Sequence, residues 1–339
     1  MNRKVFSLLC AVVFVTIVFC GAFKVQAAAV QLSYANFFPP THFNAQLGDS
    51  WAKEIEKRTN GKVKFTQFPG GALLKGPEIY DGVMKGVADV GMSLFAYTAG
   101  RFPSMEALDL PIGYPNGKTA TFVANDFYKK FQPKEISGVK LLYLHAHGPG
   151  LLHSKKEVRN LGEVKGLKIR CTGFSAKAAA ALGGVPVAMG QGQAYEALQK
   201  GVVEATLAPM EVLKGWKQGE VIKYTVECFS VGYTTAMYVI MNEAKWKALP
   251  PDVQKVFQEV STEWIKKHAE GWDVADAEGR KFSMGLGNKI IPLSKDESAK
   301  WAKAVRPVID DYAKVLTGKG LPGNDYVKFI RGAIEKYSK

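Results

Sequence analysis

Apolar residues recur along the chain with two alternating periods. Phe43, Leu47 and Trp51 repeat every four residues, the spacing of one buried helix face, and Thr41 is a candidate N-cap for that helix. Short runs of apolar and β-branched residues lie between such stretches, as at Val30 to Tyr34. This alternation predicts an α/β fold with largely parallel sheets. The other predicted strands lie around 63–65, 90–92, 167–170, 185–187, 203–207 and 235–241, and the other helices around 79–87, 176–182, 194–200 and from Pro209 onwards.

One helical pattern is unusually long. It runs from Pro251 to about Ser283 without an internal proline, and Val253, Phe257 and His268 lie on one face of it. Such a helix is far longer than the average in globular proteins, and at about 1.5 Å per residue it could run across two domains. The length of the chain, 339 residues, also favours about two domains.

The N-terminus carries the pattern of a secretory signal peptide over residues 1–27. Arg3 and Lys4 precede an uncharged apolar run from 5 to 23, and small residues follow at and after Ala27. The run is also close to the length of a membrane anchor. We favour a cleaved signal, because the small residues follow at once and no later apolar stretch approaches this length. The mature protein is then expected to be exported.

The charge balance is basic, with 45 Lys+Arg against 31 Asp+Glu and a formal charge of +14. Removal of 1–27 takes away three basic residues and no acidic ones, which lowers the charge to +11. The remaining lysines are scattered through the predicted helices, which fits a solvated surface better than a nucleic-acid groove. Cys171 and Cys228 also remain, and both a disulfide and two buried thiols stay open.

Arg170 is the clearest candidate for ligand binding. It stands at the end of a predicted strand, and ligands of open α/β sheets bind beyond the carboxyl ends of the strands. A guanidinium at that place can hold a carboxylate through two parallel hydrogen bonds. The alternative is an arginine that is exposed or paired with an acidic side chain.

Three histidines, His145, His147 and His153, suggest a second class of function, a secreted metal-dependent hydrolase. Residues 145 and 147 would share one strand face. No Asp, Glu or Cys at a familiar spacing completes a ligand set, so we favour structural histidines and expect neither a metal nor a cofactor. The absence of a nucleophile elbow and of a zinc-protease motif lowers the enzyme class further.

Several segments in the same order and spacing resemble the extracytoplasmic solute-binding subunit of TRAP transporters, of the dicarboxylate-binding type. They are Gly82 to Gly91, Leu161 to Arg170, Ala194 to Glu204 and Ala248 to Gln254. The resemblance implies a two-domain periplasmic-binding-protein fold with hinge strands and a long helix spanning both domains. It implies that Arg170 binds the ligand carboxylate and that the ligand is delivered to a TRAP membrane permease. We expect domain I to comprise 28–147 and 235–275, and domain II to comprise 148–234 and 276–339.

The chain departs from that family at places that bear on the ligand. His147 to Gly150 stand where many members carry a second arginine, Ala208 stands where an asparagine is common, and Ser93 to Tyr97 replace a polar loop. We therefore expect an aromatic or apolar monocarboxylate, such as an indole or phenyl amino or keto acid. A simple 2-keto acid and a C4-dicarboxylate are the alternatives, and a sensor role in place of transport stays open. We expect a monomer that binds no nucleic acid.

Aromatic side chains are frequent in the predicted loops, where they are candidates for an apolar pocket. The residues expected to line the pocket around Arg170 are Phe37, Phe38, His42, Ser93, Phe95, Tyr97, His147, Phe174, Met210, Trp216, Tyr233 and Thr235.

Overall fold

The computed structural model describes residues 28–338, so the predicted signal peptide at 1–27 lies outside the described residues. The strands are β1 Val30–Asn36, β2 Val63–Phe68, β3 Val90–Leu94, β4 Val139–Ala146, β5 Leu151–Ser154, β6 Lys168–Cys171, β7 Val185–Ala188, β8 Ala205–Ala208, β9 Tyr224–Glu227, β10 Ala236–Asn242 and β11 Lys289–Pro292. The helices are α1 Phe43–Arg58, α2 Ile79–Met84, α3 Gly117–Phe131, α4 Gly173–Ala181, α5 Gln191–Gln199, α6 Val212–Gly215, α7 Glu243–Ala248, α8 Pro251–Gly285, α9 Lys295–Gly318 and α10 Gly323–Tyr337. No helix within 28–338 combines the length and apolar character needed to cross a membrane.

The strands form two separate sheets, which confirms the α/β class. The first has the order β2-β1-β3-β10-β4 and the second the order β11-β9-β5-β8-β6-β7. In each sheet one strand, β10 or β5, runs antiparallel to its neighbours. These two strands come directly after the chain has crossed from one sheet to the other. The crossings at 147–150 and 228–235 lie side by side, since the Gly150 amide donates to the Tyr233 carbonyl at 2.7 Å.

Two apolar cores accompany the two sheets. The first core surrounds the first sheet and takes in α1, α3 and most of the buried face of α8; the second surrounds the second sheet. We call each sheet with its packed helices a lobe. Helix α9 begins in the second core with Trp301 and ends in the first with Tyr312. Tyr326 and Ile330 of α10 also belong to the first core, although the sequence placed 276–339 with the second domain.

The long helix is present over 35 residues, from Pro251 to Gly285, close to its predicted bounds. It packs against α1, α3 and β4 of the first lobe and against α6 of the second, so it contacts both lobes. A single continuous helix therefore packs against both lobes and connects them along its length.

Two helix starts near the crossings differ from the sequence prediction. His42, not Thr41, is the N-cap of α1, because its Nδ1 accepts a hydrogen bond from the Asn44 amide at 3.1 Å. The helix predicted to open at Pro209 begins three residues later, at Val212, and has four residues. The intervening turn carries Glu211, which matters for the site below.

Candidate functional site

A cavity lies between the lobes, beside the two crossing segments. Its free volume, the space open to the centre of a water-sized molecule, is about 50 Å³. Its lining residues come from both lobes and from α8. They are Phe37, Phe38, Leu94, Tyr97, His147, Arg170, Thr172, Gln191, Ala208, Pro209, Glu211, Val212, Trp216, Tyr233, Thr235, Met237 and Trp272.

Arg170 is the only cationic side chain in this lining, because His147 is neutral at pH 7. It sits on β6 between β7 and β8, and it is only 4% exposed. Its Nε and Nη2 both donate to the Met189 carbonyl, at 3.2 and 3.0 Å, which fixes the plane of the guanidinium. No carboxylate within residues 28–338 forms an ion pair with it. A buried cation without a partner is costly, so this cavity is suited to an anion.

The positive charge of Arg170 reaches the neighbouring titratable groups. Burial raises the pKa of Tyr97, and Arg170 opposes that rise because it favours the phenolate. Burial lowers the pKa of His147 to about 4; the bond to the Gly148 carbonyl opposes this shift and the charge of Arg170 adds to it. His147 is therefore neutral at pH 7. The cavity presents one full positive charge, at Arg170.

Aromatic rings from opposite lobes face each other across the cavity. Phe37 and Phe38 follow β1, and Asn36 Oδ1 turns the chain there by accepting the Phe38 amide at 3.0 Å. Trp216 follows α6 in the second lobe, and its ring centroid lies 6.3 Å from that of Phe37 and 5.8 Å from that of Phe38. Trp272 of α8 lies 6.5 Å from Phe38. These rings form apolar walls that suit a flat, apolar ligand body.

The lobes are also joined at the cavity by a direct polar contact. The Tyr97 hydroxyl of the first lobe accepts a hydrogen bond from the Gln191 amide, at the first turn of α5 in the second lobe, at 3.0 Å. Tyr233, in the returning crossing, donates its hydroxyl hydrogen to the Leu207 carbonyl at 2.8 Å. Its ring lies directly over Gly150, where a Cβ would stand 1.9 Å from Cε1. Only glycine at 150 allows the two crossings to pack this closely.

Eight of the residues expected around the cavity lie in its lining: Phe37, Phe38, Tyr97, His147, Arg170, Trp216, Tyr233 and Thr235. The other five do not, each for a packing reason. Ser93 donates to the Gly76 carbonyl at 2.7 Å, and Phe95 packs against Phe102 and Tyr238 in the first core. Phe174 packs on Tyr312 of α9, 5.4 Å between ring centroids.

The remaining two, Met210 and His42, lie behind the cavity wall. Met210 belongs to the second core. His42 is buried behind Phe38, whose ring stacks on it at 4.4 Å, and its Nε2 lies 2.5 Å from Glu211 Oε1. The structure therefore places these five side chains outside the lining of the cavity, although His42 contacts Glu211 and Phe38, which belong to it.

Sequence reasoning missed nine lining residues: Leu94, Thr172, Gln191, Ala208, Pro209, Glu211, Val212, Met237 and Trp272. Two of them carried a usable pattern. Glu211 stands just beyond the carboxyl end of β8, next to β6, which carries Arg170 near its own carboxyl end; acidic residues are expected at such edges as well as basic ones. Trp272 stands four residues after His268, on the buried face of the predicted long helix.

The three histidines of the hydrolase hypothesis do not converge. His145 stacks on His268 at 4.1 Å and accepts from Trp272 Nε1 at 3.1 Å, in the first lobe. His153 lies in the second sheet, bonded to Thr225 Oγ1 at 2.9 Å and to the Ala208 carbonyl at 3.1 Å. Across the described residues no three metal-ligating side chains come together. This arrangement contradicts the hydrolase hypothesis.

Comparison with known proteins bears on the fold and on the class of ligand. The model of the bacterial extracellular solute-binding proteins, family 7, matches residues 35–315. A TRAP periplasmic solute-binding protein from Desulfovibrio salexigens is 33% identical, with a TM-score of 0.81 over 91% of this chain and 97% of that one.

Two further relatives bind different acids. A marine metagenome TRAP solute-binding protein specific for aromatic acid ligands, in complex with 3-hydroxybenzoate, is 28% identical, with a TM-score of 0.87 over 92% of this chain and 100% of that one. The C4-dicarboxylate-binding periplasmic protein of Rhodobacter capsulatus is 27% identical over 85% of this chain and 88% of its own length.

Proposed function

Because the chain belongs to family 7 of the bacterial extracellular solute-binding proteins, we propose that it captures an aromatic or apolar monocarboxylate and hands it to a TRAP membrane permease. Members of this family are periplasmic receptors that bind organic acids without chemical change, so the chain is not an enzyme. The ligand class and the permease are the parts that the proposal adds.

The proposal depends mainly on Arg170. Its guanidinium is buried and forms no ion pair with a carboxylate of the described residues. Two of its nitrogens are held by the Met189 carbonyl, which leaves Nη1 for a ligand and orients the whole group. A ligand carboxylate would neutralise the buried charge through short, charge-assisted hydrogen bonds.

The rest of the lining favours a single carboxylate over two. A C4-dicarboxylate would bring a second negative charge into a cavity that has one cation, a neutral His147 and the acidic Glu211. Burying an unpaired carboxylate is strongly unfavourable. The facing rings of Phe37 and Trp216 instead complement an aromatic or apolar body. The aromatic-acid-specific relative, with its similar fold, supports this choice.

Binding is proposed to close the two lobes around the ligand. Domain I would comprise 28–147 and 235–275, and domain II 148–234 and 276–339. Within 276–339, however, the end of α9 and α10 pack in the first core, so we propose that they move with domain I. In this arrangement the two crossings at 147–150 and 228–235 act as hinges. Closure removes the ligand from water, which strengthens its contact with Arg170.

Isothermal titration of the mature protein tests the ligand class. We expect benzoate, phenylacetate, phenylpyruvate or indole-3-acetate to bind at one site per chain, and pyruvate and succinate to bind at least tenfold more weakly. Arg170→Gln should reduce affinity by about 30-fold or more, because truncating one partner of a buried charge pair costs about 2–5 kcal/mol. Arg159→Gln, at an exposed arginine of the same lobe, is the matched control and should bind normally. Tighter binding of succinate, or unchanged affinity in Arg170→Gln, would contradict the proposal.

Two further measurements address export and delivery. The intact mass of the protein recovered from the periplasm should correspond to a chain without residues 1–27. The same protein should behave as a monomer in solution. Proteoliposomes that contain the TRAP permease proteins should take up the bound acid only when the binding protein is added and an ion gradient is imposed. Uptake without the binding protein would contradict the delivery role.

A further inference from the structure

Glu211 places a carboxylate in the lining of the same cavity as Arg170. It is 2% exposed, and it lines the cavity from the turn that follows β8. Strand β8 is the direct neighbour of β6, with Arg170 paired to Thr206. The cation near the end of β6 and the carboxylate just after β8 therefore belong to adjacent parallel strands and line the same cavity.

The hydrogen-bond arrangement defines which atom of Glu211 is committed. His42 Nδ1 accepts a hydrogen bond from the Asn44 amide at 3.1 Å. In the neutral imidazole the hydrogen must then lie on Nε2, which donates to Glu211 Oε1 at 2.5 Å. The other oxygen, Oε2, receives no hydrogen bond or ion pair from any residue within 28–338. Glu211, which lines the cavity, thus keeps one carboxylate oxygen that has no donor among the described residues.

The position of Glu211 is held firmly from behind. Its backbone amide donates to Asp276 Oδ1 of α8 at 2.8 Å. Gly215 leaves space for the carboxylate and the imidazole to meet, since a Cβ there would lie 2.0 Å from Glu211 Oε1 and 2.9 Å from His42 Nε2. A held acceptor recognises a donor better than a mobile one, because little ordering is needed on binding.

From this arrangement we infer that Glu211, oriented by His42, selects ligands that carry a hydrogen-bond donor at a distance from their carboxylate, such as a ring hydroxyl or ring amine. The inference rests on the proposed function. Arg170 binds the ligand carboxylate, the aromatic rings pack against the body of the ligand, and Glu211 Oε2 accepts a hydrogen bond from the ligand donor. An acid without such a donor would leave the acceptor desolvated and unpaired, which is the usual source of strong discrimination in buried sites.

Titration of the mature protein with two sets of three acids of nearly equal size tests this. The acids are 3-aminobenzoate, 3-hydroxybenzoate and 3-methylbenzoate, together with their 4-substituted isomers. In at least one ring position we expect the amine and the hydroxyl to bind about tenfold more tightly than the methyl group, although the methyl group is the more apolar. Equal affinities in both positions, or a preference for the methyl group, would overturn the inference.

The variant Glu211→Gln tests whether Glu211 is the side chain that causes this preference. Its amide oxygen can still accept from His42, while its NH₂ now faces the cavity, so the preference for 3-aminobenzoate over 3-methylbenzoate should fall below about threefold. Glu196→Gln, at an exposed glutamate of α5, should keep the preference. A retained preference in Glu211→Gln would overturn the role of Glu211. If that variant does not fold, the wild-type comparison still decides.

The two levels of the proposal fail differently. Binding of all six acids with no preference would overturn the donor inference and leave the proposed function intact. Failure of all six acids to bind the wild-type protein, 3-methylbenzoate included, would overturn both.

Discussion

Gly279 of α8 offers a direct test of how the long helix supports the site. An added Cβ at this buried position would lie 2.2 Å from the Met210 carbonyl oxygen, 2.8 Å from its carbonyl carbon and 3.1 Å from Glu211 Cα. These are backbone atoms, so they cannot turn aside as a side chain would. Gly279→Ala must therefore push the turn that carries Glu211 away from α8.

The expected size of the effect follows from this clash. Inserting a methyl group into a well-packed interior costs about 1–3 kcal/mol. A loss of 1 kcal/mol lowers the melting temperature of a large domain by about 2–4 °C. The displaced turn should also weaken binding of 3-hydroxybenzoate more than binding of 3-methylbenzoate, because only the former uses Glu211.

Gly285→Ala in the same helix is the matched control. Nothing lies within 4 Å of the position where its Cβ would be. The same substitution should be neutral or stabilise the protein by up to about 1 kcal/mol, because alanine favours the helix. Differential scanning calorimetry of the two variants checks the pair. Equal melting temperatures would refute the claim that close contact at Gly279 supports the site.

Three further predictions concern other parts of the chain. Tyr97→Phe removes the acceptor for the Gln191 amide between the lobes and should weaken ligand binding about three- to tenfold in titration, without lowering the melting temperature of the unliganded protein by more than about 2 °C. Burial lowers the pKa of His153 to about 4, so between pH 6.5 and 4 the unfolded chain binds a proton that the folded chain does not. The free energy of unfolding should therefore fall as the pH drops through this range, by up to about 1.4 kcal/mol per pH unit for this histidine. His153→Gln should make that slope less steep in thermal melts. Cys171 and Cys228 are both free and buried, so a thiol reagent should label them only in denaturant and a reductant should leave the mass unchanged.

The architecture was accessible from the sequence because its patterns are strong and local. The four-residue repeat from Phe43 predicted α1, and the absence of proline after Pro251 predicted nearly all of α8. Strand β10 was also placed within a residue. Its direction was not, since the antiparallel pairing of β10 and β5 depends on where the chain crosses between sheets, and no local periodicity encodes that.

The cavity was less accessible than the fold, and particular side chains show why. Phe95 and Trp216 look alike in sequence, as aromatic residues near the ends of elements. One faces Phe102 in the core and the other faces Phe37 across the cavity. The difference arises from which lobe each element belongs to and how the lobes meet. Sequence alone cannot supply that long-range geometry.

The basic composition of the chain and the charge of its cavity are separate properties. Most lysines lie on the surface, many in exposed pairs such as Lys53 with Asp49, and such pairs contribute little. The cavity holds one cation, Arg170, and one carboxylate, Glu211, so its own side chains nearly balance. A bound monoanion then leaves a net negative charge there unless the ligand also brings a cationic group, whereas a neutral donor can satisfy Glu211 without changing that charge. Selection among organic acids should therefore depend on what the acid carries besides its carboxylate, and neither the overall charge of +14 nor Arg170 by itself can make that choice.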